Sequence, residues 1–238
     1  MNLTLQKKIK MKSLIETDAR FICEINNPSF QLLTPSQIEL IRSSKTQVIF
    51  HKGENLTKQG TFSSYILFII KGLVKKHVEE TNERYINISI HTENDMIGLS
   101  SLFQQKKIAY STIAIQETQA YLIESSSLQL IIKENAAFAY EIIKQYCKEN
   151  AHIYNVLQQQ SFKQMYARLA LALLYLNQFS ERQIFSHLTR KEIAAFAGLS
   201  TESTIKLLKE FEQDGIISLN DKNIELLNLD KLHKYSQI

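Results

Sequence analysis

The spacing of hydrophobic positions divides this 238-residue chain into three stretches. Residues 1 to about 45 mix helical and loop-like spacing, broken by Pro28 and Pro35. Thr34-Pro35-Ser36-Gln37 ahead of Ile38, Leu40 and Ile41 predicts a helix start with proline near its first position. From Thr46 to about Glu124 the texture changes. Runs such as Gln47-Val48-Ile49-Phe50, Tyr65-Ile66-Leu67-Phe68-Ile69-Ile70, Tyr85-Ile86-Asn87-Ile88-Ser89-Ile90 and Thr112-Ile113-Ala114-Ile115 are punctuated by Gly53, Gly60, Gly72 and Gly98. Strands at this spacing predict an antiparallel sandwich or barrel.

From about Ser126 the period is helical again. Leu128, Ile131 and Ile132 predict a short helix. A long one follows from about 136 to 160, with no Gly or Pro inside it. Along it Ile143, Cys147, Asn150, Tyr154 and Leu157 recur at alternating steps of four and three, the seam of a helix pair. A polar Asn150 in such a seam fixes register at some cost in stability. The same spacing also suits an amphipathic helix docked on its own domain. Residues 166–176 form an apolar helix able to floor a second domain.

The most specific signal is 188–218, LTRKEIAAFAGLSTESTIKLLKEFEQDGIIS. Thr189 and Glu192 form a capping box. Ile193, Ala194 and Ala197 make a small apolar face, and Gly198 ends the helix because glycine accepts a left-handed backbone. Leu199 plugs the corner. Ser200 caps the next helix, whose Thr204, Leu207 and Leu208 face inward. Thr201, Glu202, Ser203 and Lys206 are left where a recognition helix meets base edges and phosphates. A helix–glycine–helix corner also occurs in ordinary bundles. Two features favour DNA: the small Ala194 four residues before the glycine, and a hairpin straight after the second helix. That hairpin runs Ile216-Ile217-Ser218-Leu219, a tight turn at Asn220-Asp221, then Ile224-Glu225-Leu226, with Lys222 at the tip of a "wing".

Composition narrows the classes. At 44% hydrophobic and 22% charged, the chain is ordinary globular material, long enough for two cores. It has no apolar run of about 18 residues or more, so no membrane span is expected. The basic start, MNLTLQKKIKMKSLIE, lacks the apolar core of a secretion signal. Cys23 and Cys147, far apart and unaccompanied, fit a reducing cytosol and exclude a four-cysteine metal or iron–sulfur site built from this chain alone. There is no phosphate-cradling glycine loop, clustered metal-ligand set or nucleophile motif, so no enzyme is expected. The net charge is +4, yet from residue 181 onward eight Lys/Arg face nine Asp/Glu. A basic footprint there must come from segregation of charge onto one face.

The order of barrel, long helix, helical domain and winged helix-turn-helix resembles the cyclic-AMP receptor protein and fumarate–nitrate reductase regulator (Crp/Fnr) family of bacterial transcription factors. The resemblance runs from about Leu32 over nearly the whole chain. Phe50-His51-Lys52-Gly53-Glu54 with Lys58-Gln59-Gly60 is similar to the family's first barrel strands. Phe68-Ile69-Ile70-Lys71-Gly72-Leu73-Val74-Lys75 is similar to its central strand pair. Asp95-Met96-Ile97-Gly98 followed by Leu102-Phe103 is similar to the start of its effector cassette. The resemblance implies an α+β fold: an N-terminal antiparallel β-roll of cyclic-nucleotide-binding, jelly-roll type, a long dimerisation helix and a C-terminal winged helix-turn-helix. The corresponding domains are 1–135, 136–160 and 161–238. It further implies a cytoplasmic homodimer, paired through Ile143, Cys147, Asn150, Tyr154 and Leu157, on a palindromic operator in double-stranded DNA, with RNA polymerase as a partner. The expected DNA-binding set is Thr189, Arg190, Ser200, Thr201, Glu202, Ser203, Lys206 and Lys222. Glu202 can accept from a cytosine amino group and Arg190 is similar to a family phosphate contact. Thr201 stands where many members carry arginine.

The sensor departs from the family pattern. Its effector pocket would involve Gly98, Leu99, Ser100, Ala109 and Tyr110. Leu99 stands where cyclic-nucleotide binders carry a glutamate for the ribose, and Ala109-Tyr110 where they carry Arg-Ser or Arg-Thr for the phosphate. A buried phosphate without a cationic fork is poorly compensated, so neither cyclic AMP nor cyclic GMP is expected to bind. Cys23 lacks the partners an iron–sulfur cluster needs. A haem stays open through His51, His77, His91, His152, His187 or His233. Another small effector stays open through Tyr85 or Tyr110, which can equally fill a closed barrel. The competing function class is a nucleotide- or metabolite-responsive adaptor that acts through protein contacts, motivated by the near-neutral C-terminal part.

Overall fold

In a computed structural model of the chain, residues 12–14, 27–81, 84–103 and 107–237 are described. Cys23 lies outside them. They fold into two compact units.

The first unit comprises Met1–Lys76 and Ser89–Lys148. Its elements are β1 (Lys12–Leu14), α1 (Pro35–Ser43), β2 (Lys45–Phe50), β3 (Asn55–Thr57), β4 (Tyr65–Lys71), the start of β5 (Val74–Glu79), the end of β6 (Tyr85–His91), β7 (Met96–Ile97), β8 (Ser111–Ala114), β9 (Thr118–Glu124), α2 (Ser125–Glu134) and the start of α3 (Ala136–Phe162). The strands form a five-stranded sheet in the order β1-β2-β9-β4-β7 and a four-stranded sheet in the order β3-β8-β5-β6. The described pairings are antiparallel, as in Val48 opposite Ala120 and Phe68 opposite Tyr121. β8 starts one residue before the expected run, and the Thr112 hydroxyl bonds that of Thr57 across the sheet.

β4 reads as a continuous apolar run because both its faces are buried. Side chains alternate across a strand. Leu67 and Ile69 pack inside the roll with Val48, Phe50, Ile97, Tyr110 and Ala114. Ile66 and Phe68 pack outside it with Phe30, Tyr121, Leu128, Ile131, Phe138 and Ile142. Phe30 meets Phe68 edge-on at 5.2 Å and Phe138 at 5.9 Å, a favoured aromatic geometry. The Thr34–Gln37 capping box starts α1 as expected. Asn135 starts α3: its Oδ1 accepts from the Phe138 amide while its Nδ2 donates to Leu32 O.

The second unit comprises His77–Ile88 and Glu149–Ile238. After the rest of α3 come α4 (Met165–Asn177), α5 (Ile184–His187), α6 (Arg190–Ala197), α7 (Thr201–Gln213), β10 (Ile217–Asn220), β11 (Asn223–Leu226) and α8 (Leu229–Ser236). α4 is the expected floor, with Ala167, Leu169, Ala170, Leu173 and Leu176 buried. α3 continues to Phe162, so the chain leaves helix at Lys163 and Gln164, just beyond the end expected at 160. The compact units divide α3 between Lys148 and Glu149, a partition different from the division by role into 1–135, 136–160 and 161–238. Among the described residues no helix is long and apolar enough to cross a membrane.

Candidate nucleic-acid interface

The helix-turn-helix is held by local bonds at each end. The Thr189 hydroxyl accepts from the Glu192 amide at 3.2 Å, and the Glu192 carboxylate accepts from the Thr189 amide at 2.7 Å. Gly198 closes α6 with φ +62, and its amide bonds Ala194 O. A Cβ on Gly198 would lie 2.7 Å from Arg168 Nη2. Arg168, from α4, donates to the Ala197 and Gly198 carbonyls, which offer partial negative charge at the helix end. The Ser200 hydroxyl then accepts from the Ser203 amide at 3.1 Å and donates to Ser203 Oγ at 3.0 Å.

Thr204, Leu207, Leu208 and Phe211 of α7 point inward. Glu202, Lys206 and Lys209 are exposed on the opposite side; Thr201 and Ser203 are half-buried. The sequence reading missed Lys209, and also Ile205, 40% exposed on this outward side. Counting three and seven residues on from Glu202 would have found both.

β10 and β11 pair antiparallel, with Asn220 opposite Asn223, which makes the wing. Its two-residue turn is therefore Asp221-Lys222, one residue later than Asn220-Asp221. Asp221 supplies the left-handed corner at φ +52, a conformation that Asp tolerates better than most residues. Lys222 is exposed at the tip. Arg190 is half-buried: its guanidinium donates to Asp221 O at 2.9 Å and reaches Lys222 O at 3.5 Å. Burial lowers its pKa, opposed by the charges of Asp221 and Glu212.

Four acids of this part accept hydrogen bonds from neighbouring groups. Glu192 is held in the capping box. Glu210 accepts from the Tyr166 hydroxyl, Glu212 from the Leu219 amide, and Asp214 from the Tyr235 hydroxyl. Glu192 and Glu210 are half-buried, and Glu212 and Asp214 are exposed, as are Lys206, Lys209 and Lys222. Glu202 is the acid presented beside Lys206 and Lys209 on the outward side of α7.

The first half of β6, which falls in this unit, braces the start of α6. Asn87, fully buried, donates from Nδ2 to Glu192 O at 2.9 Å, and Lys191 Nζ stands 5.8 Å from the Tyr85 ring centroid. Burial first, then the Glu192 charge, raises the Tyr85 pKa above that of a free phenol. Tyr85 thus belongs to this contact.

In the first unit, Gly98 and Tyr110 meet directly. The Gly98 amide donates to the Tyr110 hydroxyl at 3.0 Å, and Lys76 Nζ lies 3.9 Å above the Tyr110 ring, a cation–π contact. Leu99 is sunk in the core with Ile66 and Phe68, Ser100 is half-buried, and Ala109 is exposed. At these positions the Gly98 amide is engaged by Tyr110, Leu99 is apolar, and Lys76 is the cation beside Tyr110.

Four of the histidines raised for a haem have protein partners: His51 lies 3.6 Å from Glu117, His77 3.8 Å from Glu79, His91 3.6 Å from Asp95, and His152 2.9 Å from Ile88 O. Among the described residues no three His, Cys, Asp or Glu cluster as metal ligands.

On α3, Ile143 is 56% exposed, Tyr154 67% and Leu157 60%, and Cys147 and Asn150 are exposed as well. Tyr140, 67% exposed, extends the stripe by one step of three, a residue the sequence reading missed.

Comparison with known proteins agrees with this geometry. Residues 47–135 match the cyclic nucleotide-binding domain, and residues 167–235 the Crp-like helix-turn-helix domain. A CRP-like cAMP-activated global transcriptional regulator of Mycobacterium tuberculosis is 25% identical over 209 residues, which cover 85% of this chain and 93% of that protein. The crystal structure of a transcriptional regulator of the crp/fnr family from Eubacterium rectale superimposes with a TM-score of 0.74 at 19% identity, covering 89% of this chain and 98% of that one. FixK2 from Bradyrhizobium japonicum gives 0.70 at 20% identity, covering 80% and 96%.

Proposed function

This chain belongs to the Crp/Fnr family of transcription regulators and carries its helix-turn-helix DNA-binding domain, and from that premise we propose that it works in the cytoplasm as a homodimer on a palindromic operator. The observation that carries this reading is the outward side of α7, with Glu202, Lys206 and Lys209 exposed. Two α3 helices pair through Ile143, Cys147, Asn150, Tyr154 and Leu157, with Tyr140 extending the seam. Half-sites then lie about 34 Å apart, one turn of DNA. Glu202 selects a base pair by accepting from cytosine N4. Lys206, Lys222, Ser200, Ser203, Thr201 and the Thr189–Arg190 end of α6 hold the backbone. RNA polymerase is the partner through which it acts on transcription.

The sensor roll works without cyclic AMP or cyclic GMP. The Tyr110 hydroxyl on the Gly98 amide and the inward turn of Leu99 support this. The adaptor alternative draws on the balanced charge of the C-terminal part, and salt-dependent duplex binding separates it from the operator reading.

The test is selection of bound duplexes from a random library, followed by titration across salt. An inverted repeat and an affinity that falls steeply with salt are expected. Binding indifferent to both sequence and salt overturns the reading. Calorimetry with cyclic AMP is expected to show no heat at micromolar concentration, and binding in that range would overturn the sensor assignment.

A further inference from the structure

We propose that Ile205 reads the 5-methyl group of a thymine in each half-site, so that α7 selects sequence by an apolar contact as well as by Glu202. The proposal rests on the operator-binding reading above and goes beyond it by naming one base and the atom that is recognised.

Ile205 is not among the buried residues of α7. Thr204, Leu207, Leu208 and Phe211 fill the inward side of α7, while Ile205 is 40% exposed. It lies three residues after Glu202 and four before Lys209, and Lys206 follows it, so it sits inside the polar, charged outward side. A β-branched residue at an exposed helix position has lower helix propensity than Ala, Lys or Glu, so local stability does not call for it. The same branching holds χ1 in one dominant rotamer, which fixes the methyl groups in place and reduces the entropy lost on contact.

Three features of the major groove and one of the helix matter to this assignment. Its base edges offer donors, acceptors and a single apolar group, the thymine C5-methyl. Glu202 and Ile205 are separated along the helix by about 4.5 Å, and base pairs by about 3.4 Å. The thymine therefore falls within about one or two base pairs of the pair read by Glu202. Its methyl also lies on the groove wall that a helix approaches, where an isoleucine reaches it without leaving a buried polar atom unpaired.

The experiment uses the full-length protein and the operator selected from random duplexes. Each selected thymine is replaced, in both half-sites, by deoxyuridine, which lacks only the methyl. At one position the wild type is expected to lose about fourfold in affinity per methyl, or about fifteenfold for both half-sites. Ile205→Ala is expected to bind thymine and deoxyuridine duplexes equally, and Ile205→Val to keep most of the discrimination, because the cycle isolates the pairwise contact. Thymine and deoxyuridine bound equally by the wild type at every position would overturn the proposal, and so would an Ile205→Ala protein that still discriminates. Loss of all sequence-selective binding would instead overturn the operator reading itself, which the salt titration registers separately.

Discussion

The Arg190 guanidinium donates to the backbone carbonyl of Asp221 at 2.9 Å, so the first helix of the helix-turn-helix holds the tip of the wing. A residue expected to touch phosphate thus has a structural task 31 positions away in sequence. Arg190→Ala is expected to cost about 1 kcal/mol of stability, because bonds from charged donors to half-exposed carbonyls are worth less than buried ones. It should also speed hydrogen exchange at Lys222 and Asn223 and weaken DNA binding. Arg190→Lys separates two roles. Lysine can meet a phosphate as a point charge but cannot span two carbonyls with a fork. Faster exchange at the wing with an unchanged salt slope marks wing positioning; slow exchange in the lysine protein would refute it.

Gly198 joins the two helices at φ +62, with Arg168 and Gln160 against it. Gly198→Ala is expected to lower stability by about 1–2 kcal/mol from the left-handed backbone alone. The Cβ also displaces the Arg168 guanidinium, which cannot move without giving up its bonds to the Ala197 and Gly198 carbonyls. Urea unfolding read by circular dichroism, alongside duplex binding, checks this. A variant as stable as the wild type would show that the corner relaxes freely.

Tyr110 is 8% exposed, and its hydroxyl accepts the Gly98 amide. Tyr110→Phe leaves that buried N–H without its partner, at about 1–3 kcal/mol. Thermal unfolding measures the loss. The same variant with cyclic AMP added is expected to show no shift in Tm, as the proposed independence of the roll from cyclic AMP requires.

The α3 stripe predicts assembly directly. Replacing both Ile143 and Leu157 by Glu puts like charges at the proposed two-fold seam and removes apolar burial of about 1.5–3 kcal/mol per side chain. Sedimentation should show monomers, with the dimer dissociation constant raised at least about a hundredfold. Asn150→Leu is expected to tighten association or change its stoichiometry, because a polar seam residue trades stability for register. A double-Glu protein that stays dimeric would place the interface elsewhere.

The local features were legible in the sequence because each depends on atoms a few residues apart. The Thr189–Glu192 and Thr34–Gln37 capping boxes, the Ser200 cap, the Gly198 corner and the change from period two to helical period all arise from the chain near itself. The wing was legible too, with its turn displaced by one residue because the pairing of Asn220 with Asn223 decides where a hairpin closes.

Tertiary structure decided what depends on side chains brought together from far along the chain. It set Arg190 on the wing carbonyls, Tyr110 on the Gly98 amide and Asn87 under the start of α6. It also brought the Glu210, Glu212 and Asp214 carboxylates to the Tyr166 hydroxyl, the Leu219 amide and the Tyr235 hydroxyl, with Lys206, Lys209 and Lys222 left exposed. Composition supplies charges and periodicity supplies faces. The direction in which a charge points is set only when elements pack, because burial and hydrogen bonding are properties of the neighbours a side chain finally meets.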